Sequence, residues 1–212
     1  MKVELLAYTP DPDMLCAYAA HICYSTAPFD VRHSRHVLAT VRANGHLSVL
    51  EHASFTFLVE GLSRAASHQL VRHRLASYSQ QSLRFTQAQP VFVSPPGCDF
   101  TAFYQEAFAE YQRLLGQGVA EEDARYVLPQ GITSRIVVTM NARELLHFFE
   151  LRCCLRAQFE IRALAWVMLA KAKAVAPLLF DQAGPVCLQG KVCPEKSFAC
   201  PLKTKGQKGD MG

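Results

Sequence analysis

Hydrophobic and polar residues alternate in a few short stretches of the chain and recur at helical spacing between them. The alternation predicts strands at residues 3–8, 54–60 and 132–140, with Gly61 ending the second. Helical spacing and capping signals predict helices at residues 11–22, 31–43, 63–71, 101–117, 121–129, 141–151 and 157–175. Because strands are few and do not alternate regularly with helices, we predict an α+β fold with a small mixed or antiparallel sheet packed by helices.

Capping signals indicate where several of these helices begin. Asp11 is the expected N-cap of the first helix, ahead of a proline at the first helical position. Ser48 with Glu51, and Asn141 with Glu144, have the spacing of a capping box. Each pair is therefore expected to begin a helical turn.

The length and composition favour one globular domain. The chain has 212 residues, half of them hydrophobic, which is enough for a substantial core. We predict a single domain at residues 1–180 and a Cys/Gly/Pro-rich tail at residues 181–212, disordered from Lys203 onward.

The charge and hydropathy argue against two classes of partner. A net charge of +4 is small for a dedicated nucleic-acid binder. No apolar run approaches the roughly 20 residues that span a bilayer, and the N-terminus lacks the apolar core of a signal peptide. We expect a cytoplasmic protein that binds neither nucleic acid nor membrane.

Polar and charged side chains are most concentrated in the run RHRLASYSQQSLRF at residues 72–85. Three of its cationic side chains, Arg72, His73 and Arg74, fall at the end of a predicted helix, and no carboxylate interrupts the run. Ser82 and Arg84 lie two residues apart, so on an extended segment both would point to the same face and could hold a phosphate. The run predicts a site for a polyanionic ligand. A solvated basic loop is the alternative.

Reactive groups of the common hydrolases and kinases are missing from the sequence. It has no paired acid–base carboxylates, no nucleophile elbow, no P-loop and no G-x-G-x-x-G. Many donors with few reactive groups indicate that a bound cofactor supplies the reactivity. The alternatives are a non-catalytic nucleotide or RNA-binding module, and a metal-dependent nucleotide hydrolase that uses the tail cysteines.

Six of the eight cysteines fall into two groups with different expected roles. In a reducing cytosol we expect no disulfides, and Cys16 and Cys23 are expected in the core. Three others lie in GPVCLQGKVCPEKSFACP, a segment with almost no core-forming pattern: Cys187, Cys193 and Cys200. A structural Zn²⁺, with Cys154 as the fourth thiolate, would order such a segment. A loosely attached tail with incidental thiols is the alternative.

The 72–85 run resembles the signature of the flavin-dependent thymidylate synthases. That signature is an arginine-histidine-arginine triplet followed at fixed spacing by Ser77, Ser82, Arg84 and an aromatic residue. Three other segments are similar to the same family: GHLSVLEHASFTF at 45–57, TSRIVVTMNARELLHFFELR at 133–152 and RAQFEIR at 156–162. The resemblance identifies residues 1–180 as a catalytic domain of this type. It implies a homotetramer whose active sites are assembled from several subunits.

The resemblance also implies the reaction. In this family dUMP becomes dTMP, methylenetetrahydrofolate gives the one-carbon unit, FAD reduced by NADPH delivers a hydride, and tetrahydrofolate is left. No cysteine nucleophile takes part, so Ser82 is expected to bind phosphate.

Site residues follow from the same resemblance. Arg162 is the expected catalytic residue, facing the uracil, where its charge stabilises negative charge developing at N3. The implied dUMP site consists of Gln69, Arg72, Gln80, Gln81, Ser82, Leu83, Arg84, Arg135 and Arg162. The implied FAD contacts are His46, Ser48, Arg72, His73, Arg74, Gln80, Glu150, Arg152 and Arg156.

The chain departs from the family pattern at a few of these positions. Ser79 and Gln80 stand where asparagine and glutamate are frequent, so Gln80 keeps hydrogen bonding without the charge. Phe85 replaces a frequent tyrosine, and Glu150 a frequent amide. No residue pattern identifies the folate pocket.

Overall fold

The computed structural model describes residues 1–194 and Cys200, and it confirms the α+β fold. The strands are β1 Lys2–Tyr8, β2 Ser54–Ser63, β3 Ala76–Gln80 and β4 Thr133–Asn141. The α-helices are α1 Pro12–Tyr24, α2 Ser34–Ala43, α3 Arg64–Leu70, α4 Thr101–Gly116, α5 Glu121–Ala124, α6 Ala142–Arg152 and α7 Phe159–Val175. Short 3₁₀ helices lie at Val31–His33, Leu47–His52, Arg125–Val127 and Val186–Gln189. The disorder predicted from Lys203 falls outside the described residues.

The chain groups into two compact units, a division that the sequence did not indicate. The first unit combines Met1–Leu6 with Thr56–Thr139, and the second combines Ala7–Phe55 with the chain from Met140 onward. The predicted domain boundary after residue 180 stays a prediction. Over the described residues, no helix combines the length and the apolar character that a membrane span requires.

The four-stranded antiparallel sheet has the order β1-β2-β4-β3. The Thr56 and Thr139 hydroxyl oxygens lie 2.9 Å apart, and Arg135 Nε lies 2.8 Å from Glu60 Oε1. These two contacts advance in opposite directions along β2 and β4, which fixes an antiparallel register. Ser134 on β4 is buried and Arg135 is exposed, as the period of two requires. Arg135 is thus displayed on the face opposite the buried one.

A hydrophobic core of the first unit lies under α4 and the loop before β4. Its buried members are Leu83, Ala88, Tyr111, Ala124 and Ile132. The hydroxyl of Tyr104 donates to the carbonyl of Val93 at 3.0 Å, and its ring stacks on Phe92. A Cβ on Gly131 would lie 2.5 Å from that hydroxyl, so the packing there requires glycine.

The second unit is built from helices around an aromatic cluster. Phe55, Phe149 and Phe180 are fully buried, with ring centroids 5.4 to 5.7 Å apart. On α1 the buried carboxylate of Asp13 accepts hydrogen bonds from the backbone N–H groups of Leu178 and Leu179, each 2.9 Å long. This carboxylate therefore ties α1 to the chain that follows α7.

The predicted helix caps had mixed outcomes. Asn141 Oδ1 accepts from the Glu144 N–H at 2.9 Å, as predicted. Asp11 occupies the N-cap of α1, but with left-handed backbone and without a side-chain cap bond. Ser48 and Glu51 lie in a helical turn as predicted, the 3₁₀ helix Leu47–His52, but the expected capping box is absent: the N-cap is His46 without a side-chain bond, and Glu51 binds Arg143 Nη1 at 2.6 Å. Gly61 also does not end β2, which continues to Ser63 with Gly61 at φ 77°.

We predict that Asp13→Asn lowers the free energy of unfolding by about 1–3 kcal/mol, since an amide presents only one acceptor atom to the two backbone donors. Asp11→Asn is the matched control, because Asp11 makes no side-chain cap bond and asparagine tolerates its left-handed backbone. Its change should stay within about 0.5 kcal/mol. Urea unfolding followed by circular dichroism measures both, and equal changes would contradict the role assigned to Asp13.

Candidate functional site

The turn after α3 carries the arginine-histidine-arginine triplet. Ser63 Oγ caps α3 by accepting from the Ala66 N–H at 3.1 Å. Beyond the helix, the Tyr78 hydroxyl lies 2.9 Å from the carbonyl oxygen of Leu70 and 2.7 Å from that of His73. The His73 N–H also donates to the Leu70 carbonyl, at 3.1 Å. Neutral hydrogen bonds thus fix the turn.

The two arginines of this turn have no charged partner among the described residues. Arg72 and Arg74 are both exposed, and neither guanidinium makes a hydrogen bond or ion pair to residues 1–194 or Cys200. His73 between them is only 4% exposed. The buried histidine anchors the turn, and the two arginines present fixed positive charge to an anion.

The segment after the turn pairs with β4. Gln80 Nε2 donates to Ser134 Oγ at 2.7 Å, and the Gln81 N–H donates to the Arg135 carbonyl at 2.8 Å. The structure therefore brings together Gln80, Gln81 and Arg135, three residues of the predicted dUMP set. Gln69, another member, lies half-buried on α3.

The predicted extended geometry of Ser82 and Arg84 was wrong. The Ser82 carbonyl accepts from the N–H groups of Phe85 and Thr86 at 3.2 and 3.0 Å, so the chain turns here. Ser82 Oγ itself accepts from the Arg84 N–H at 3.2 Å. The turn still places the Ser82 hydroxyl beside the Arg84 backbone. Neither residue lies on a strand, so their side chains are not paired on one strand face.

Arg84 forms a solvent-accessible ion pair with Glu122 that a ligand can replace. Its Nε lies 2.6 Å from Glu122 Oε2, and its guanidinium carbon lies 5.1 Å from the centroid of the Phe85 ring. Both charged groups are about half exposed, so the ion pair contributes only about 0–1 kcal/mol. A ligand phosphate can therefore replace Glu122 at small cost.

Leu83 is buried in the hydrophobic core under α4. It also lines a cavity of about 290 Å³ whose wall includes Arg64, Arg125 and Gln130. The residue predicted to contact dUMP thus has mainly a packing role within the chain, with one side on a polar cavity.

Arg162 lies on α7 in the second unit. Its Nη1 donates to the carbonyls of Leu155 and Ala157 at 2.8 and 3.2 Å, in the loop between α6 and α7. Within the described part of the chain, Nε and Nη2 make no further bond. The side chain is therefore oriented through one nitrogen and keeps two donor groups for a ligand. The sequence did not indicate these carbonyl partners.

The other residues that were predicted to contact FAD in the second unit lie at two places in the structure. His46 and Ser48 are exposed at the start of the 3₁₀ helix Leu47–His52, where His46 Nδ1 is hydrogen-bonded to the Tyr24 hydroxyl. Three more lie at the end of α6 or just beyond it: Glu150, Arg152 and Arg156. Burial lowers the pKa of Arg152 below its ordinary value, although arginine remains charged at neutral pH.

Glu150 and Arg156 line a cavity of about 130 Å³. All four cysteines of the predicted metal site line the same cavity: Cys154, Cys187, Cys193 and Cys200. Burial raises the pKa of the Cys187 thiol, and the other three cysteines add to the effect by electrostatic repulsion. Among the described residues, no three His, Cys, Asp or Glu side chains are arranged as a formed metal centre. The metal site stays a prediction.

The remaining cysteines differ from these four. All eight thiols, each within the described residues, are free of disulfides. Cys16 and Cys153 are buried, and burial raises the pKa of each to about 12, which makes both unreactive at neutral pH. Cys23, predicted in the core, is exposed, because α1 buries its Cys16, Ala17 and Ala20 face instead.

Sequence reasoning missed the residues that position the predicted ones. These are Tyr78, which holds the turn, Ser134, which binds Gln80, and the carboxylates Glu60 and Glu122, which pair with Arg135 and Arg84. Ser134 immediately precedes Arg135 in the sequence, and this position could have indicated that Ser134 lies near the site. Glu122 is distant in sequence from Arg84, and no local pattern connects them.

The fold and these residues match one class of proteins. The family model described as "Thymidylate synthase complementing protein" matches residues 4–178. The chain is 50% identical to a flavin-dependent thymidylate synthase of Geobacter sulfurreducens, over 94% of each chain. It is 46% identical to one of Sulfurisphaera tokodaii, over 89% of this chain and 79% of the relative. This chain belongs to the flavin-dependent thymidylate synthase family, which confirms the resemblance of its motifs.

A solved structure supports the same assignment. The UMP/dUMP methylase PolB of Streptomyces cacaoi, bound with 5-Br dUMP, is similar to this chain with a TM-score of 0.75 and 28% identity. The similarity covers 85% of this chain and 93% of PolB. The overall fold is thus shared with a protein that holds a uridine nucleotide analogue.

Proposed function

We propose that this protein methylates dUMP to dTMP, with methylenetetrahydrofolate as one-carbon donor and NADPH-reduced FAD as hydride source, giving tetrahydrofolate. The observation that carries the proposal is the uncompensated pair Arg72 and Arg74 on a turn fixed by hydrogen bonds, within a chain of this family. The relatives are named flavin-dependent thymidylate synthases, so a non-catalytic RNA-binding module is not favoured.

The residues present suit FAD. Two guanidiniums two residues apart match the diphosphate of a dinucleotide. When the Tyr24 hydroxyl donates to His46 Nδ1, the His46 Nε2 carries the proton and can donate to a ligand. FAD, when bound and reduced by NADPH, supplies the hydride chemistry that no side chain of this protein provides.

For dUMP, we propose that the phosphate binds at Ser82 and Arg84. The Ser82 oxygen accepts from the Arg84 N–H, which leaves its hydroxyl proton for a phosphate oxygen. Arg84 would exchange its exposed pair with Glu122 for the phosphate. Arg135, Gln80 and Gln81 are joined by β3–β4 pairing and would contact the same nucleotide.

Arg162 is the proposed catalytic residue. Its guanidinium is held by two loop carbonyls through Nη1, so its orientation is set before substrate binds. A fixed positive charge facing the uracil stabilises negative charge developing at N3. Because the orienting bonds use a single nitrogen, Nε and Nη2 can meet the ring.

We further propose a homotetramer with active sites assembled from several subunits. Helix α1 exposes an apolar stripe at helical spacing, Leu15, Tyr18 and Ile22, at 37, 48 and 59%. An exposed apolar stripe of this kind suits a subunit interface.

The reaction itself is tested on the purified protein. We expect a bound flavin whose visible absorbance bleaches with NADPH under anaerobic conditions, and dTMP formation that requires dUMP and methylenetetrahydrofolate. Chromatography of the nucleotide products measures turnover. A folded, colourless protein that takes up no FAD, and whose RNA affinity falls steeply with salt, would replace this proposal with the binding module.

Arg72→Ala and Arg74→Ala should each weaken FAD binding about 10–100-fold, since each removes a charge-assisted contact of about 1.5–3 kcal/mol. Arg113→Ala is the matched control, because Arg113 is an exposed α4 arginine paired with Glu110 at 2.6 Å. It should change the affinity less than about twofold. Titration by flavin fluorescence measures all three, and an equal effect of Arg113→Ala would refute a specific role for the triplet.

Arg162→Ala should reduce turnover about 10²–10³-fold or more while the flavin stays bound, since a preorganised charge is lost. Arg162→Lys keeps the charge but cannot hold two carbonyls and the substrate together, so it should recover only part of the rate. The urea midpoint of each variant reports damage to the loop between α6 and α7. Full turnover in a folded Arg162→Ala protein would remove Arg162 from the mechanism.

A further inference from the structure

Four cysteines from two distant parts of the chain line one cavity. Cys154 follows α6, whereas Cys187, Cys193 and Cys200 belong to the segment beyond α7. All four are partly exposed and all are free thiols. The cavity therefore brings cysteines from both parts of the chain to one place.

Hydrophobic packing explains only part of why this segment lies against the end of α6. Pro185 and Val186 line the cavity, whereas Leu188 and Val192 are 60% and 80% exposed. Its hydrogen bonds are local, such as Gln189 Nε2 to the Gly184 carbonyl at 2.6 Å. Gly190, at φ 71°, ends the 3₁₀ helix Val186–Gln189 between Cys187 and Cys193, both of which line the cavity.

We propose that Cys154, Cys187, Cys193 and Cys200 bind one Zn²⁺ ion as a tetrathiolate structural site. The proposal is independent of the reaction assigned above. Thiolates are the preferred ligands of structural Zn²⁺, and a closed four-coordinate site needs four protein ligands. Because the described side chains line the cavity without forming a coordination sphere, binding must draw the four sulfur atoms to about 2.3 Å from the ion.

Zinc binding by four thiols releases protons and changes the charge of the site. Four thiols lose four protons to solvent, and Zn²⁺ with four thiolates carries a net charge of −2. Arg156, on the wall of the same cavity, offsets part of that charge. Glu150 also lines the cavity and opposes it, so Arg156 is the side chain of the pair that favours the metal-bound form.

Metal binding at Cys154 would also restrain the loop between α6 and α7. Cys154 is next to Leu155, whose carbonyl accepts from Arg162, and the Ala157 N–H donates to the Cys154 carbonyl at 3.0 Å. A metal at Cys154 would therefore hold the loop whose carbonyls orient Arg162, and would tie the segment beyond α7 to that loop.

The test uses the full chain, purified anaerobically with a non-chelating reductant and then dialysed after incubation with Zn²⁺. Elemental analysis should give one Zn²⁺ per chain. The Cys187→Ser, Cys193→Ser double variant should fall below about a tenth of that content. Cys23→Ser and Cys98→Ser are matched controls, because both cysteines are exposed and lie outside the cavity, and both should keep one Zn²⁺.

Cobalt titration of the unmodified protein keeps the test decisive if the double variant does not fold. We expect thiolate-to-cobalt charge-transfer bands and the strong visible bands of tetrahedral Co²⁺, all lost when Zn²⁺ is added. The proposal is refuted by Zn²⁺ content below about a tenth per chain in the unmodified protein, by octahedral cobalt spectra, or by full retention of Zn²⁺ in the double variant. Disulfides among these cysteines under the reducing conditions, seen as a mass loss, would also refute it.

Discussion

The pairing of β3 with β4 is the constraint on which the site in the first unit depends. Strand β4 lies between β2 and β3, and its register against β2 is fixed by the Thr56–Thr139 and Glu60–Arg135 contacts. A shift of one residue would turn Arg135 toward the buried face, so the register is strongly specified. The same strand then positions the end of β3 through the Gln80 side chain and Gln81 backbone. Sheet packing thus sets the position of the signature segment.

Neutral and charged interactions have separate roles in this segment. The turn after α3 is held by the Tyr78 hydroxyl and backbone bonds, none of which uses the charges of Arg72 or Arg74. Arg84 and Arg135 instead have carboxylate partners: Glu122, whose side chain is 45% exposed, and Glu60, whose side chain is 29% exposed. Since solvent-accessible pairs are weak, an incoming phosphate can compete for Arg84 and for Arg135, while Arg72 and Arg74 have no partner to exchange in the part of the chain that the structure describes. The arrangement is suited to phosphorylated ligands because the fold does not depend on its ligand-facing charges.

The sequence alone predicted the secondary structure correctly where local periodicity or a fixed motif determines it. It predicted β1, β2, β4 and the helices, because their apolar positions repeat with the period of the element. It gave no strand for Ala76–Gln80, because ASYSQ has little apolar content and is ordered by pairing with β4. The capping error at Glu51 has a similar cause, since Arg143 is remote in sequence. Long-range polar partners leave no local signal, and the orienting contacts of Arg162 were missed for a related reason.

The two sites differ in how far the polypeptide forms them by itself. In the first unit, hydrogen bonds already hold the positive turn, because backbone and hydroxyl groups can satisfy one another without a ligand. Thiols cannot do this, since S–H groups are weak donors and thiolates repel one another. Four cysteines that line one cavity therefore gain little from proximity until a cation neutralises them. Their convergence on one cavity, in a segment whose Leu188 and Val192 remain exposed, is the physical basis of the proposed metal site.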